Sequence, residues 1–218
     1  MRSPIRAVRA LRSRPLLRIP ASASDTESAT LRYLLYGLLP AWFVPALADW
    51  WQHRRTHIEH TTGTRESLLH ALMMVEVGVP ITLALLCEVN PLLLTIMLAA
   101  LAAHEGTGLW DAKVAADSSR EVTVLEQHIH SYLVSLPFMS SAALVCLHWD
   151  QVQALLSGTS RPDAWRLRLK RHRLSGAYLA AIGVEIIGLI AVPYGEELLR
   201  CVRASRQTAT PSVPAGSA

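Results

Sequence analysis

Charge is scarce in this chain. Asp, Glu, Lys and Arg together make up 17% of 218 residues, against about 25% in ordinary soluble domains. Disorder as the global state needs low hydrophobicity and high net charge, so it is excluded. Cysteine is scarce as well. Three residues are an odd number, and Cys87 and Cys146 lie in apolar runs, which excludes a disulfide-stapled secreted scaffold. No G-x-G-x-x-G or G-x-x-x-x-G-K-[ST] run occurs, so a dinucleotide or P-loop fold has no support. No G-x-S-x-G elbow is present either. There is no internal repeat, and no h-region with a small-residue cleavage site precedes residue 31.

What remains is apolar surface. Apolar types reach 51%, and the mean hydropathy is +0.27. Windows of about 19 residues pick out five stretches, roughly 31–51, 67–87, 91–110, 129–149 and 175–194. Pro40, Pro45, Pro80 and Pro137 fall inside them, which membrane helices tolerate because neighbouring groups satisfy the freed carbonyls. Trp50, Trp51, Trp110 and Trp149 fall at their ends, as in an interfacial belt. The predicted class is all-α: a polytopic membrane helical bundle of about five transmembrane helices, with a soluble helical bundle as the alternative. The expected organisation is a basic and polar N-terminal tail over 1–30, the bundle over 31–200 and a disordered tail over 201–218. The basic tail is transit-peptide-like in composition; in a bacterial chain it would be cytoplasmic.

Five spans put the chain ends on opposite sides. Side A denotes the face with the 52–66 and 111–128 connections and the C-terminus. Side B carries the N-terminus, the 88–90 turn and the 150–174 connection. Side B has thirteen Lys and Arg residues and side A has eight. The positive-inside bias therefore predicts a cytoplasmic side B. The basic 161–173 segment directly precedes a span, so an anionic-lipid contact is expected there rather than a nucleic acid.

Histidine is distributed unevenly. Seven of nine, His53, His57, His60, His70, His104, His128 and His130, lie on side A. Three times an acid precedes a histidine by four positions: Asp49–His53, Glu66–His70 and Glu126–His130. In a helix such pairs share a face about 6 Å apart. His104 and Glu105 add donors at the end of the third span, and Asp111 follows His104 by two turns. An ionisable side chain within a span costs several kcal/mol unless it is paired, hydrated or metal-bound. Imidazole with carboxylate suits iron, manganese or zinc, and the lack of cysteine in the group argues against iron–sulfur. The expected ligands are Asp49, His53, His60, Glu66, His70, His104, Glu105, Glu126 and His130, with Glu59, Asp111 and His128 orienting them or substituting for them. Each pair also has a plain reading as an intrahelical hydrogen bond. His57 could be interfacial and His128 a helix cap. Glu76 and Glu185, near mid-span, could be interhelical hydrogen-bond partners, and His148 and His172 interfacial residues of side B.

The run His53-Arg-Arg-Thr-His57-Ile-Glu-His60 resembles the first histidine box of membrane di-iron fatty acid hydroxylases and desaturases. That resemblance implies oxidation of acyl chains with O₂. No HxxHH box occurs; His104-Glu105 and Glu126-Gln-His128-Ile-His130 stand where further boxes would be expected. The carboxylate content is similar to ferritin-like di-metal bundles, although their Glu-x2-His spacing is one residue shorter. Asp49-x3-His53 also resembles the zinc sites of the membrane hydrolase superfamily that includes alkaline ceramidases, which has more spans. As a whole the chain resembles small bacterial polytopic membrane proteins with the same Asp-Trp, Ile-Glu-His, His-Glu and Glu-Gln-His-x-His pattern, a resemblance that brings no activity with it.

The sequence thus leads to three expectations. The first is an inner-membrane metalloprotein, a di-iron or di-manganese oxidoreductase acting on a lipid or other apolar substrate with an electron donor. The second is a zinc-dependent intramembrane hydrolase. The third is a non-enzymatic membrane subunit that binds haem or is locked by its polar cluster.

Overall fold

The computed structural model describes residues 25–118 and 121–209. Most of the expected basic tail, and the last nine residues of the expected C-terminal tail, lie outside the described residues. Five long helices dominate: α1 (Asp25–Arg55), α2 (Gly63–Leu86), α3 (Pro91–Ala116), α4 (Val124–Leu147) and α6 (Gly176–Thr208). A short amphipathic helix, α5 (Trp149–Leu156), lies in the long side B connection. Among the described residues there is no strand, only one isolated bridge between Cys87 and Leu169. The fold is all-α, as expected.

Local sequence explains where the helices start. Pro91 opens α3 at its first turn, and the Asn90 side chain accepts the Leu93 N–H at 2.9 Å. Thr123 caps α4 by accepting the Glu126 N–H at 3.2 Å. Glu126 stands three residues after Thr123, the spacing of a capping box. Ser175 does the same for α6 through Tyr178 N–H. Each cap contributes about 1 kcal/mol. The α1–α2 connection turns on His57, which is left-handed at φ 53°, and on Gly63 at φ 61°.

Outward faces are apolar. Val44, Leu109 and Val184 expose 70%, 75% and 70% of their surface. Monomers in water rarely carry apolar patches of the size these helices would expose together. Together with the length and hydropathy of the five helices, this makes the chain an integral membrane protein. Inside, Trp42, Phe43 and Ala46 of α1 pack with Val77, Ile129, Leu133, Ile182 and Tyr194.

The buried residues of α1 recur every four positions, at Leu34, Leu38, Trp42 and Ala46. Those of α6 fall on the same register at Tyr178, Ile182, Ile190 and Tyr194, in steps of four, eight and four, with Ile186 between them half-buried. A four-residue step exceeds the 3.6-residue α-helical turn, so such a stripe would drift round the helix. Both helices widen locally to π-helix, at Leu34–Leu38 and Ile186–Ala191. The wider turn holds the stripe on the bundle axis. The Tyr178 hydroxyl bonds Leu35 O at 2.6 Å, inside the first of these segments.

One boundary differs from expectation. The fifth span continues beyond 194 and remains helical through residue 208 instead of giving way to a disordered tail at 201. Hydropathy falls there because Glu196, Glu197, Arg200, Arg203 and Arg206 intervene. Cys201 and Ala204 nevertheless remain buried, so packing sustains the helix where apolarity does not.

The five-span arrangement predicts opposite signals from reporters fused after residue 60 and after residue 165. Equal signals would remove it; reversed ones would put side A in the cytoplasm.

Candidate metal centre

Side A ends of all five long helices converge, and each brings buried polar residues. From α1 come Asp49, Gln52 and His53; from α2, Glu66 and His70; from α3, Asp111; from α4, Glu126; from α6, Glu197. His130 of α4 reaches the same volume and is partly exposed. The α1–α4 contact is fixed outside the cluster, where Gln52 Nε2 donates to Thr123 Oγ1 at 3.1 Å.

Two sets of donors meet. Asp49 Oδ1 lies 2.9 Å from His130 Nε2 and 3.5 Å from His53 Nε2. Glu126 Oε1 lies 3.7 Å from the same His53 nitrogen. In the second set, His70 Nε2 is 3.3 Å from Asp111 Oδ1 and 3.8 Å from Glu66 Oε1. His53, Glu126 and His130 could hold one ion, and Glu66, His70 and Asp111 another. Asp49, His53 and His70 form a third compatible group, so the two volumes adjoin.

Glu197 joins them. Its Oε2 is 3.1 Å from His53 Nδ1, and its Oε1 is 2.9 Å from His70 Nδ1. The two imidazoles stack nearly parallel, 4.5 Å between centroids and 7° apart. A carboxylate accepts at both oxygens, so each imidazole carries its proton on Nδ1 when neutral. The Nε2 lone pairs then point into the two donor sets. Neither His53 Nε2 nor His70 Nε2 has a hydrogen-bond partner, and Asp111 Oδ1 also lacks one. Metal-ligating histidines commonly give their remote N–H to a carboxylate in this way.

Asp49 is held from behind. The Tyr194 hydroxyl lies 3.0 Å from Ala46 O and 3.2 Å from Asp49 Oδ2. The turn at Ile58–His60 packs against α2 and α6 with Ile58 fully buried. Arg200 pairs with Glu59, and Glu196 accepts from Trp50 Nε1 at 3.0 Å and Arg54 Nη1 at 2.9 Å.

Seven residues singled out by sequence come together: Asp49, His53, Glu66, His70, Asp111, Glu126 and His130. Asp111 sits among the direct donors rather than behind them. The other five lie apart. His104 is buried, but it faces Glu76 at 3.7 Å, and Thr107 Oγ1 donates to Glu76 at 2.8 Å. Seven residues of helix separate His104 from Asp111, about 10 Å along the axis, so sharing a face does not bring them together. Glu105, next round the helix, is exposed. The His60 side chain is 68% exposed and touches Glu59 at 3.9 Å. Glu59 itself is committed to Arg200. His128 is exposed, its ring edge-on to Tyr132 at 5.1 Å. Glu197 and Tyr194 were not singled out by sequence. The available signal was the three-residue spacing of a tyrosine and an acid at the side A end of a span.

No protein-family model matches the chain, and neither a curated protein nor a solved structure does.

Replacing Glu197 with Ala removes the Nδ1 partner of two buried imidazoles. Each orphaned group costs about 1–3 kcal/mol. Glu196→Ala removes only partly exposed contacts, worth about 0–1 kcal/mol. Unfolding in detergent should separate the two variants clearly; equal and small losses would deny Glu197 this anchoring role.

Proposed function

We propose that the side A cluster is a two-metal centre in a bacterial inner-membrane protein. We further propose iron or manganese as its ions, and oxidoreduction of a lipid or other apolar substrate, with electrons from a separate donor, as its activity. The observation that carries this reading is the Glu197 carboxylate held by the Nδ1 atoms of both His53 and His70, which leaves two Nε2 atoms without hydrogen bonds among carboxylates. One ion would be held by Asp49, His53, Glu126 and His130, and its neighbour by Glu66, His70 and Asp111. A donor set richer in carboxylate than imidazole, with no thiolate, suits iron and manganese. Bound there, the pair would supply one- or two-electron redox chemistry. Glu197 sets the imidazole tautomers, and Tyr194 orients Asp49.

Other readings receive less support from the same geometry. A single zinc with three histidines needs the imidazoles in one set, whereas His70 turns its Nε2 away from His130 toward Asp111 and Glu66. Haem between His53 and His70 has no room, because their rings are stacked on each other.

Metal analysis of the purified full chain tests the proposal. The expected content is about two iron or manganese ions per chain, as in two-metal sites. His70→Ala and His130→Ala, on different helices, should each strip metal, whereas His148→Ala on side B should not. Non-additive losses in the double variant would mark ligands acting as a unit. A single zinc, or metal unaffected by His70→Ala in folded protein, would overturn the reading.

A further inference from the structure

A cavity of about 850 Å³ opens at the other end of the bundle. Its walls are apolar, from Leu31 and Leu35 of α1, Ile81 of α2, Met97 of α3 and Leu144 of α4. Its deep end is Glu76. Along α2 it extends from Glu76 to Leu85, about 14 Å at 1.5 Å per residue. Half of a bilayer's hydrocarbon core is about 15 Å. The cavity therefore has the depth of one leaflet.

The mouth is polar and built by the 150–174 connection. This segment is strapped to the end of α2 by Lys170 N–H to Leu86 O at 2.9 Å and by Glu88 N–H to Arg168 O at 2.8 Å. The strap brings Lys170 and Arg173 to the rim. Neither makes an ion pair among the described residues. Glu88, whose Oε1 takes the Arg171 N–H at 2.9 Å, lies near enough to favour the charged form of Lys170 without forming an ion pair with it. Burial pushes the Lys170 ammonium below the ordinary lysine range. A half-buried cation with no direct ion pair, beside an exposed arginine and above an apolar chamber, is completed by an anionic head on an apolar body. The surroundings indicate the source of such a ligand. In the same side B connection and at its start, Trp149, Trp165 and Leu169 are exposed, with Arg161 and Arg168 paired to Asp163 and Arg166 exposed beside them. Exposed Trp and Arg are the residues of a headgroup layer, and basic pockets between spans suit anionic lipids.

We propose that this cavity binds one anionic phospholipid from the side B leaflet. Its phosphate lies at Lys170 and Arg173, and an acyl chain runs between α1, α2 and α4 to Glu76. The inference does not depend on the metal centre.

The test uses the full chain, treated with chelator, in nanodiscs that mix phosphatidylglycerol with phosphatidylcholine. Native mass spectrometry reads the lipid retained per chain. One phosphatidylglycerol should remain bound in preference to phosphatidylcholine. Lys170→Gln with Arg173→Gln should weaken retention on the order of thirtyfold, from two basic contacts near the headgroup. Ala84→Trp should block it by filling the wall. The rim variants lie outside the spans, so they remain informative if the Trp variant fails to fold. Equal retention of phosphatidylcholine, a retained fatty acid in place of phospholipid, or retention unchanged in the rim variant would overturn the proposal. None of these outcomes bears on metal content, so the two readings fail separately.

Discussion

The Glu197 carboxylate, fully buried and bridging the Nδ1 atoms of two stacked imidazoles, is the interaction on which the side A end of this bundle depends. Buried ionisable groups are costly unless each has a partner, and partly satisfied networks are worse than an apolar core. Glu197 satisfies His53 and His70 at once, and these two histidines come from different helices. The remaining acids, Asp49, Glu66, Asp111 and Glu126, then gather round the opposite ring nitrogens. Without Glu197 the two rings would have no common anchor, and their Nε2 atoms no fixed direction.

Bringing Glu197 to that depth is a backbone problem. An uninterrupted α-helix from Ser175 would rotate the apolar four-residue stripe off the bundle axis, and the residues beyond it with that stripe. The π turn at Ile186–Ala191 corrects the drift, so Tyr194 and Glu197 both face inward. The matching π segment in α1 serves Asp49 and His53 in the same way. Two irregular turns in the apolar half of the membrane thus set the geometry of a polar cluster several turns away. In the α1 segment one such carbonyl has a side-chain partner: Leu35 O takes the Tyr178 hydroxyl.

Much of this was legible in the sequence, because apolar runs and i,i+4 spacing report directly on helices. Asp49–His53 and Glu66–His70 face each other as the spacing requires. Helical periodicity gives the face and not the depth, which is why His104 shares a side with Asp111 and still pairs with Glu76. His60 was grouped with the ligands by its histidine-rich run, but the helix ends at Arg55, the chain turns at the left-handed His57, and the His60 side chain is left exposed. Glu197 was hidden for a different reason. Hydropathy ends the fifth span at Tyr194, where charged residues begin, although one face of that charged stretch is buried. A search for inward-facing stripes continued past the apolar limit would have reached Glu197, Cys201 and Ala204.

The bundle is therefore divided along its axis. At side A, acids and imidazoles from five helices exclude lipid. At side B, an apolar chamber opens to a cationic rim. Between them lies a polar layer, in which Glu76 accepts from Thr107 and faces His104. Thr107 and Asp111 are one turn apart on α3, and Glu76 and His70 lie six residues apart on α2, about 9 Å along the axis. Glu76 is both the deep end of the chamber and the nearest carboxylate to the cluster along its own helix. Helix–helix bonding explains its contact with Thr107, as expected for a polar residue at mid-span. That bond leaves Glu76 Oε2 without a hydrogen bond in a buried position, although one oxygen would suffice to tie two helices. An unbonded carboxylate oxygen is costly to bury, so Glu76 is the polar group that marks the boundary between the apolar chamber and the side A cluster.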